Sequence, residues 1–160
     1  RGLKKDGTRR FTIDNEEQAI SNFLDVFTPA TLEIESEGDY QAINKQGSSA
    51  RGGFQFLGKS EKYPKGSAIA ALNRLEKYLG PREWGAALRE HGDASLLEPM
   101  QQTELFIGDM LEKDGSDKLM QLVFNGDMEG MIKAYEVLHH TNADPKTKAR
   151  ARKIFKTYFD

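Results

Sequence analysis

The residues best suited to acid-base chemistry are three glutamates near the end of a short apolar segment. Glu35 follows Leu32 and Ile34, whose apolar side chains are expected to carry the neighbouring surface inward. Partial burial of a carboxyl group raises its pKa towards neutrality, and a general acid needs such a pKa. Glu33 and Glu37 have comparable positions, and composition and spacing do not choose among the three acids.

A polar, glycine-rich stretch follows these acids. Gln55 carries a hydrogen-bond donor and an acceptor, which suits the hydroxyl and acetamido groups of a sugar. An anchoring role within the loop is an equal alternative for Gln55. Gly52 and Gly53 either let the backbone approach a ligand or supply positive φ in a turn. Tyr40 offers a ring that can stack on a sugar, and long irregular segments in compact domains are usually functional.

The glycine-rich stretch also lacks carboxylates. Ordinary glycosidases use two carboxylates, about 5 to 10 Å apart according to mechanism. After Asp39, residues 40–60 contain no acidic residue. Asp39 is therefore the nearest candidate for a second carboxylate, with Glu37 behind it, and the pattern favours chemistry with a single acid.

Several other chemistries are excluded or disfavoured by composition. The chain has no cysteine, which rules out a thiolate nucleophile, disulfides and cysteine-ligated zinc. The three histidines, His91, His139 and His140, do not form an HExxH pattern. A GxSxG motif for an activated serine is also missing from the sequence. We therefore predict no metal site and no cofactor.

Helix start and stop signals recur along most of the chain. Asp14 is a candidate N-cap for a helix, and Thr28 followed by Pro29 predicts the start of a second one. The apolar face expected for the first helix consists of Ile20, Phe23, Leu24 and Phe27. Residues 37–66 then change character, because their glycines and polar residues favour a loop or a small β excursion.

Helical patterning resumes after this loop. A helix is predicted from Ser67 to the stop signal at Gly80, followed by one around Trp84 and Leu88 and one from Pro99. The residues of the helix from Ser67 that are expected to face the core are Ile69, Leu72, Leu75, Tyr78 and Leu79. The last three helices are expected to start at caps provided by Ser116, Asp127 and Asp144. The fold class predicted is all-α or α-dominated.

Length and charge limit the organisation of the chain. Its 160 residues and 18.0 kDa suit a single domain over residues 1–160, and no apolar run is long enough to cross a bilayer. The terminal segments 1–10 and 146–160 contain 11 basic and two acidic residues, which leaves 12 basic and 23 acidic residues between them. Because the body is acidic, nucleic acid is not a predicted partner.

The residues singled out above resemble the motifs of a known family, the lytic transglycosylases of the lysozyme-like superfamily. Glu35 and Ser36 match the Glu-Ser pair that these enzymes carry at the end of a helix. The later Gly-Leu-Met-Gln motif is similar to Gly52, Gly53, Phe54 and Gln55. The Ala-Tyr-Asn-Ala-Gly motif is similar to Val123, Phe124, Asn125 and Gly126, with Phe124 in place of the tyrosine. The resemblance covers residues 28–140 and is strongest to muralytic enzymes of enveloped double-stranded RNA phages.

The resemblance implies a lysozyme-like fold of the goose-type lysozyme or lytic transglycosylase kind, with a groove for the glycan strand of peptidoglycan. It implies that Glu35 is the catalytic acid and base, and that the product is a 1,6-anhydromuramyl end. The substrate-binding residues that it implies are Ser36, Tyr40, Gly52, Gly53, Gln55, Phe124 and Asn125. Phe124 lacks the hydroxyl that the family places near the acid, and Tyr40 and Tyr63 are candidate replacements.

Two alternatives stay open at this stage. Phage wall enzymes also include endopeptidases that cut peptide crosslinks, and a protein with this fold can bind the wall without cleaving it. Purely structural roles also stay open for two of these residues. Ser36 could hydrogen-bond backbone groups at the helix end, and Asn125 could end a helix before a glycine. The resemblance implies a virion-associated protein that acts in the host periplasm, with other virion proteins as further partners.

Overall fold

The computed structural model describes residues 10–44, 48–58 and 66–160, and the chain divides into two compact units. The first unit consists of two chain segments, the residues up to Ile34 and Lys113–Asp160. The second unit is the segment between them, Glu35–Glu112. Helices account for 65% of the described residues, which confirms the α-dominated class. The expectation of one domain over the whole chain stays a prediction.

The described elements are short helices and one small antiparallel sheet. In chain order they are α1 (Glu16–Ser21), a π-helical stretch (Asn22–Phe27), α2 (Thr28–Ser36), β1 (Ala50–Arg51), β2 (Phe56–Leu57), α3 (Gly66–Leu79), α4 (Gly85–His91), a 3-10 turn (Ala94–Leu96), α5 (Pro99–Glu112), α6 (Asp117–Phe124), α7 (Met128–Ala134), a second π-helical stretch (Tyr135–His139) and α8 (Pro145–Thr157). The sheet pairs Ala50 with Leu57 and Arg51 with Phe56, which confirms a small β excursion within the glycine-rich segment.

The first helical segment is continuous from α1 through the π stretch to α2. α2 begins at Thr28, as predicted, but Thr28 is not an N-cap, because the chain is already helical before it. Thr28 has helical φ and ψ of −65° and −51°, and its N–H reaches the Phe23 carbonyl five residues back. In a regular α-helix the proline ring collides with the carbonyl four residues earlier. The wider π turn that precedes Pro29 removes this conflict.

The core of the first unit is a chain of aromatic rings. Consecutive centroids lie 4.9–6.3 Å apart along Phe11, Phe124, Phe23, Phe27, Phe155 and Tyr135. Ile20 and Leu24 were expected on the same buried face as Phe23 and Phe27, but they are 48% and 41% exposed. The π-helical stretch changes the angular spacing of side chains around the helix axis. The four residues predicted on one apolar face are therefore partly buried and partly exposed.

The second unit is built on the contact between α3 and α5. Gly108 on α5 lies directly against Leu75 on α3, and the two helix backbones approach closely there. Phe54, from the loop between the strands, stacks on Phe106 of α5 with centroids 4.4 Å apart and planes inclined by 9°. Leu79, expected to face inward, is 48% exposed, so the apolar face of α3 ends before its last residue.

The helix caps follow the local sequence closely. Asp127 and Asp144 accept hydrogen bonds from Gly130 N–H and Thr147 N–H, as predicted. The first cap is Asn15 rather than Asp14. Ser116 occupies the predicted N-cap position of α6, but its buried hydroxyl makes no hydrogen bond to any described residue.

We predict that Gly108→Ala lowers the free energy of unfolding by about 1–3 kcal/mol. An added Cβ would lie 2.7 Å from Leu75 Cβ and 2.8 Å from Leu75 Cα, so backbone must move. This cost opposes the better helix propensity of alanine. Urea unfolding followed by the fluorescence of Trp84, the single tryptophan, measures the change in the second unit.

Met100→Ala is the control for this prediction, since Met100 lies on the same helix and is 81% exposed. It should change the free energy of unfolding by less than about 0.5 kcal/mol. Equal stability of the Gly108→Ala variant and the unmodified chain would contradict the close packing of α3 on α5.

Candidate active site

The structure places Glu35 in the last turn of α2, as the sequence predicted. Glu37 and Gly38 follow with left-handed φ of 56° and 84°, and this pair turns the chain out of the helix. The Asp39 N–H donates to the Ser36 carbonyl at 3.1 Å, which satisfies one of the last helical carbonyls. Glu35 is half-buried, whereas Glu33 and Glu37 are exposed. Burial therefore separates three acids that the sequence alone left equivalent.

An arginine from the end of the chain holds the same helix terminus. The Arg150 guanidinium donates from Nη1 to the Ile34 carbonyl at 2.6 Å and from Nη2 to the Glu33 carbonyl at 3.3 Å. Carbonyls in the last turn of a helix have no partner within the helix, and a positive charge is favourable there. Arg150 thus fixes the turn of α2 that leads into Glu35. Sequence reasoning placed Arg150 only in a basic terminal segment.

The acids that flank Glu35 have other surroundings. Glu33 lies near Tyr158, and partial burial together with the charge of Glu33 raises the pKa of the Tyr158 hydroxyl. The Asp39 carboxylate accepts a hydrogen bond from the Gln41 N–H at 2.9 Å and closes a local turn. Asp39 is also exposed, so the nearest candidate for a second carboxylate is solvated and has a structural role.

The loop that carries the second motif is fixed by one buried amide. Gln102 on α5 is 1% exposed, and its Oε1 accepts the Gly53 N–H at 2.8 Å. Its Nε2 donates to the carbonyls of Tyr40 and Leu97, each at 2.9 Å. A buried polar group costs free energy unless it is hydrogen-bonded, and here both ends of the amide are used. Gln102 thereby joins the start and the tip of the loop to α5.

This amide also explains the glycine at position 52. Gly52 has φ of +84°, and a Cβ built there would lie 2.6 Å from Gln102 Oε1. Its N–H donates to the Ala42 carbonyl at 2.8 Å. Gly52 and Gly53 are both buried, and the close approach of Gln102 is a sufficient reason for glycine at position 52. Their contact with a substrate stays a prediction.

Gln55 is the polar side chain that the loop presents. Its backbone is left-handed, with φ of 55°, a conformation that residues other than glycine rarely adopt. Its Nε2 donates to the Gly52 carbonyl at 2.9 Å, which orients the amide. Within the part of the chain that the structure describes, its Oε1 accepts no hydrogen bond. Gln55 therefore offers a fixed acceptor for an N–H or O–H donor.

Tyr40 is a structural part of the loop. Its ring meets Phe54 edge-on at 6.3 Å between centroids, and its hydroxyl lies 3.3 Å from the Thr103 hydroxyl. Because Thr103 donates to the Pro99 carbonyl, the Tyr40 hydroxyl is the donor of this pair. Tyr40 is half-buried, and its contact with a sugar stays a prediction. Tyr63, the other candidate for a tyrosine hydroxyl, lies outside the described residues.

The third motif falls in the first unit. The Phe124 ring packs edge-on against Phe11 and Phe23, at 4.9 and 5.6 Å. Asn125 is exposed at the end of α6 and accepts a hydrogen bond from Gln121 Nε2 at 3.1 Å. The second unit contains Glu35, Ser36, Tyr40, Gly52, Gly53 and Gln55. Substrate contact of Phe124 and Asn125 stays a prediction.

Comparisons with family models, with curated proteins and with solved structures found no match to this chain. The described ranges contain no group of three or more histidine, aspartate or glutamate side chains placed to hold a metal ion. No helix in these ranges is long and apolar enough to cross a membrane. The arrangement is therefore interpreted from its own geometry: a half-buried carboxyl at a helix end, and a loop with a fixed amide acceptor.

We predict that Gln102→Ala lowers the free energy of unfolding of the second unit by about 2–4 kcal/mol. The substitution leaves the Gly53 N–H and the carbonyls of Tyr40 and Leu97 without their partner. Trp84 fluorescence during urea unfolding measures the loss, and faster hydrogen exchange of the Gly53 amide locates it. Gln101→Ala is the control, since among the described residues the Gln101 side chain hydrogen-bonds only to the exposed Glu98 N–H, from which it accepts. A loss as large in the control would show that the buried amide has no special role.

We also predict that Arg150→Gln destabilises the first unit by about 1–2 kcal/mol, because two helix-terminal carbonyls lose a charged donor. The melting temperature, measured by circular dichroism, should fall accordingly. Lys148→Gln removes the same charge from an exposed position on α8 and should leave the melting temperature nearly unchanged. If both variants melt alike, Arg150 does not support the end of α2.

Proposed function

We propose that this protein is a peptidoglycan lytic transglycosylase with a lysozyme-like domain, in which Glu35 is the single catalytic acid and base. The observation that carries the proposal is the half-burial of Glu35 at a helix end, between two exposed glutamates. A half-buried carboxyl at a helix end keeps one side open to a substrate, with which it can exchange a proton. The resemblance of Glu35 and Ser36 to the family's Glu-Ser pair supports the same residue.

In the proposed reaction, Glu35 first protonates the glycosidic oxygen between N-acetylmuramic acid and N-acetylglucosamine. The bond from that oxygen to C1 of the muramic acid breaks, and the N-acetylglucosamine end leaves with the proton. The Glu35 carboxylate then withdraws the proton of the muramic acid C6 hydroxyl while the oxygen of that hydroxyl bonds to C1. The products are a 1,6-anhydromuramyl end and a regenerated acid, and no water is consumed.

The surroundings of Glu35 support a mechanism with one acid. A retaining or inverting hydrolase needs a second carboxylate across the scissile bond. Asp39 is exposed and engaged with the Gln41 N–H, and residues 40–60 contain no acid. An internal hydroxyl in place of water removes the need for that second group.

The loop supplies groups suited to holding the glycan. The Oε1 of Gln55 is fixed by the bond from its Nε2 to Gly52 and is suited to accept an acetamido N–H or a sugar hydroxyl. Ser36 follows the acid directly and is assigned a substrate contact by the family resemblance. The same resemblance supports a phage protein that is carried in the virion and acts on the wall in the host periplasm.

Glu35→Gln should lower the release of soluble fragments from purified peptidoglycan by at least about 100-fold, because the amide cannot transfer the proton. Glu33→Gln and Glu37→Gln are matched controls on the two sides of the acid, and both should retain activity. Mass spectrometry of the fragments made by the unmodified chain should show anhydromuramyl ends, each lighter by one water than a reducing end.

Other products would replace this proposal with a defined alternative. Reducing muramic acid ends would mean hydrolysis, with Asp39 as the first residue to test for a second carboxylate. New peptide amines with an intact glycan would mean an endopeptidase. Binding to the wall without any release would mean a non-catalytic wall-binding protein.

A further inference from the structure

Arg51 is the only cation among the described residues of the range 37–58. It lies on β1, where it pairs with Phe56 of β2 on one side and with Ile43, through an isolated β-bridge, on the other. Its backbone is therefore held between two neighbouring segments of chain, and the residue is half-buried. The glycine-rich segment that carries Gln55 thus also carries one positive charge at a fixed place.

One nitrogen of the Arg51 guanidinium is anchored to nearby backbone. Nη1 donates to the carbonyls of Ser48 and Ala50, each at 2.9 Å. These two bonds orient the plane of the guanidinium, and their acceptors are neutral, so the positive charge is retained. Nε and Nη2 donate to no residue that the structure describes. Because one N–H of each points in the same direction, the two nitrogens form an open edge that matches the two oxygens of a carboxylate.

The other described arginines are engaged in a different way. Five of them pair with a carboxylate, namely Arg10, Arg74, Arg82, Arg89 and Arg152. The sixth, Arg150, donates from two nitrogens to the end of α2. Among the arginines that the structure describes, Arg51 alone combines an oriented guanidinium with an open edge and no carboxylate partner. A half-buried cation attracts an anion more strongly than an exposed one, since water and salt screen it less.

Arg51 and Gln55 are anchored on two sides of the same β-bridge. The bridge that Arg51 forms is flanked by two backbone hydrogen bonds of 2.8 and 3.2 Å, whose acceptors are the carbonyls of Ala42 and Ala50. The Gln55 Nε2 lies 3.5 Å from the Ala42 carbonyl oxygen, and the Arg51 Nη1 lies 2.9 Å from that of Ala50. The amide and the guanidinium are therefore one bridge apart and can contact neighbouring groups of one ligand.

We propose that Arg51 binds a carboxylate on the lactyl substituent of N-acetylmuramic acid, and this proposal rests on the proposed function because its ligand is peptidoglycan. The lactyl ether at C3 distinguishes muramic acid from N-acetylglucosamine. It ends in a carboxylate or carries a peptide that has carboxylates of its own. The acetamido group is on the adjacent carbon, C2. A muramic acid whose acetamido group meets Gln55 therefore has its lactyl substituent close to the open edge of Arg51.

The test is the affinity of the full chain for soluble disaccharides of N-acetylglucosamine and N-acetylmuramic acid, measured by NMR titration. One disaccharide has the free lactyl carboxylate and the other carries a peptide with free carboxylates. Each is compared with the same molecule in which every carboxylate is an amide. The unmodified chain should bind a carboxylate form about 10-fold more tightly than its amide form, since a hydrogen bond to a charged group is stronger than one to a neutral group.

Arg51→Gln should bind the carboxylate and amide forms with equal affinity. Arg51→Lys keeps the charge but loses the planar edge, and it should retain a preference of about threefold. Lys77→Gln is the matched control, since it removes one positive charge from an exposed position on α3 of the same unit, and it should keep the full preference. Both forms are measured on each variant, so a loss of folding, which weakens both, is not mistaken for a loss of preference.

The source of the carboxylate follows from which disaccharide depends on Arg51. Dependence for the peptide-free disaccharide assigns the contact to the lactyl carboxylate, and dependence for the peptide-bearing one assigns it to the peptide. Equal affinity of the unmodified chain for carboxylate and amide forms would overturn the proposal. An unchanged preference in Arg51→Gln would also overturn it, because the bonds from Nη1 to the backbone would then be the whole role of Arg51.

Release of fragments from peptidoglycan by the unmodified chain is recorded in parallel, so that failure of this proposal and failure of the proposed function are distinguishable. Anhydromuramyl fragments without a preference for carboxylates would support the proposed function and reject the Arg51 contact. A preference that depends on Arg51, without any release of fragments, would support the contact and reject the catalytic proposal. Absence of binding to all of the disaccharides would reject the contact.

Discussion

The candidate site of the second unit depends on the side-chain amide of Gln102. This group is 1% exposed, accepts the Gly53 N–H and donates to the carbonyls of Tyr40 and Leu97, so two of its three buried hydrogen bonds hold the loop. The position of the amide then constrains its neighbours. Residue 52 must be glycine, because a Cβ would meet the amide oxygen. The Gly52 carbonyl in turn orients Gln55, and one buried group thereby determines what the loop presents to a ligand.

A second constraint acts on the acid itself. In the proposed reaction the carboxyl both gives and takes a proton, which requires a defined position, and a helix terminus tends to fray. Arg150 counters fraying on one side of this terminus, and the left-handed pair Glu37 and Gly38 ends the helix on the other. The half-burial of Glu35 follows from its place in the last fixed turn. Backbone geometry therefore fixes the place of the proposed acid.

Sequence reasoning predicted what local signals determine. The caps Asp127 and Asp144, the stop at Gly80 and the irregular loop are set by residues within a few positions, and the structure confirms them. Sequence reasoning did not predict the π-helical stretch before Pro29, because no local residue pattern announces it. Phe23 and Phe27 of this stretch pack against each other in the core. Sequence reasoning also missed Gln102 and Arg150. Their partners lie 49 and 116 residues away along the chain, and no periodicity or motif carries that information.

The different roles of arginine and lysine on α8 follow from the geometry of their charged groups. The Arg150 guanidinium is planar and reaches the carbonyls of Glu33 and Ile34 with two separate nitrogens. Arg152 meets both oxygens of Glu129 in the same way. A lysine ammonium is a single charged point and cannot span two acceptors with fixed spacing. Lysines therefore occupy positions with no fixed acceptor. The charge that organises the end of α2 is therefore held by an arginine.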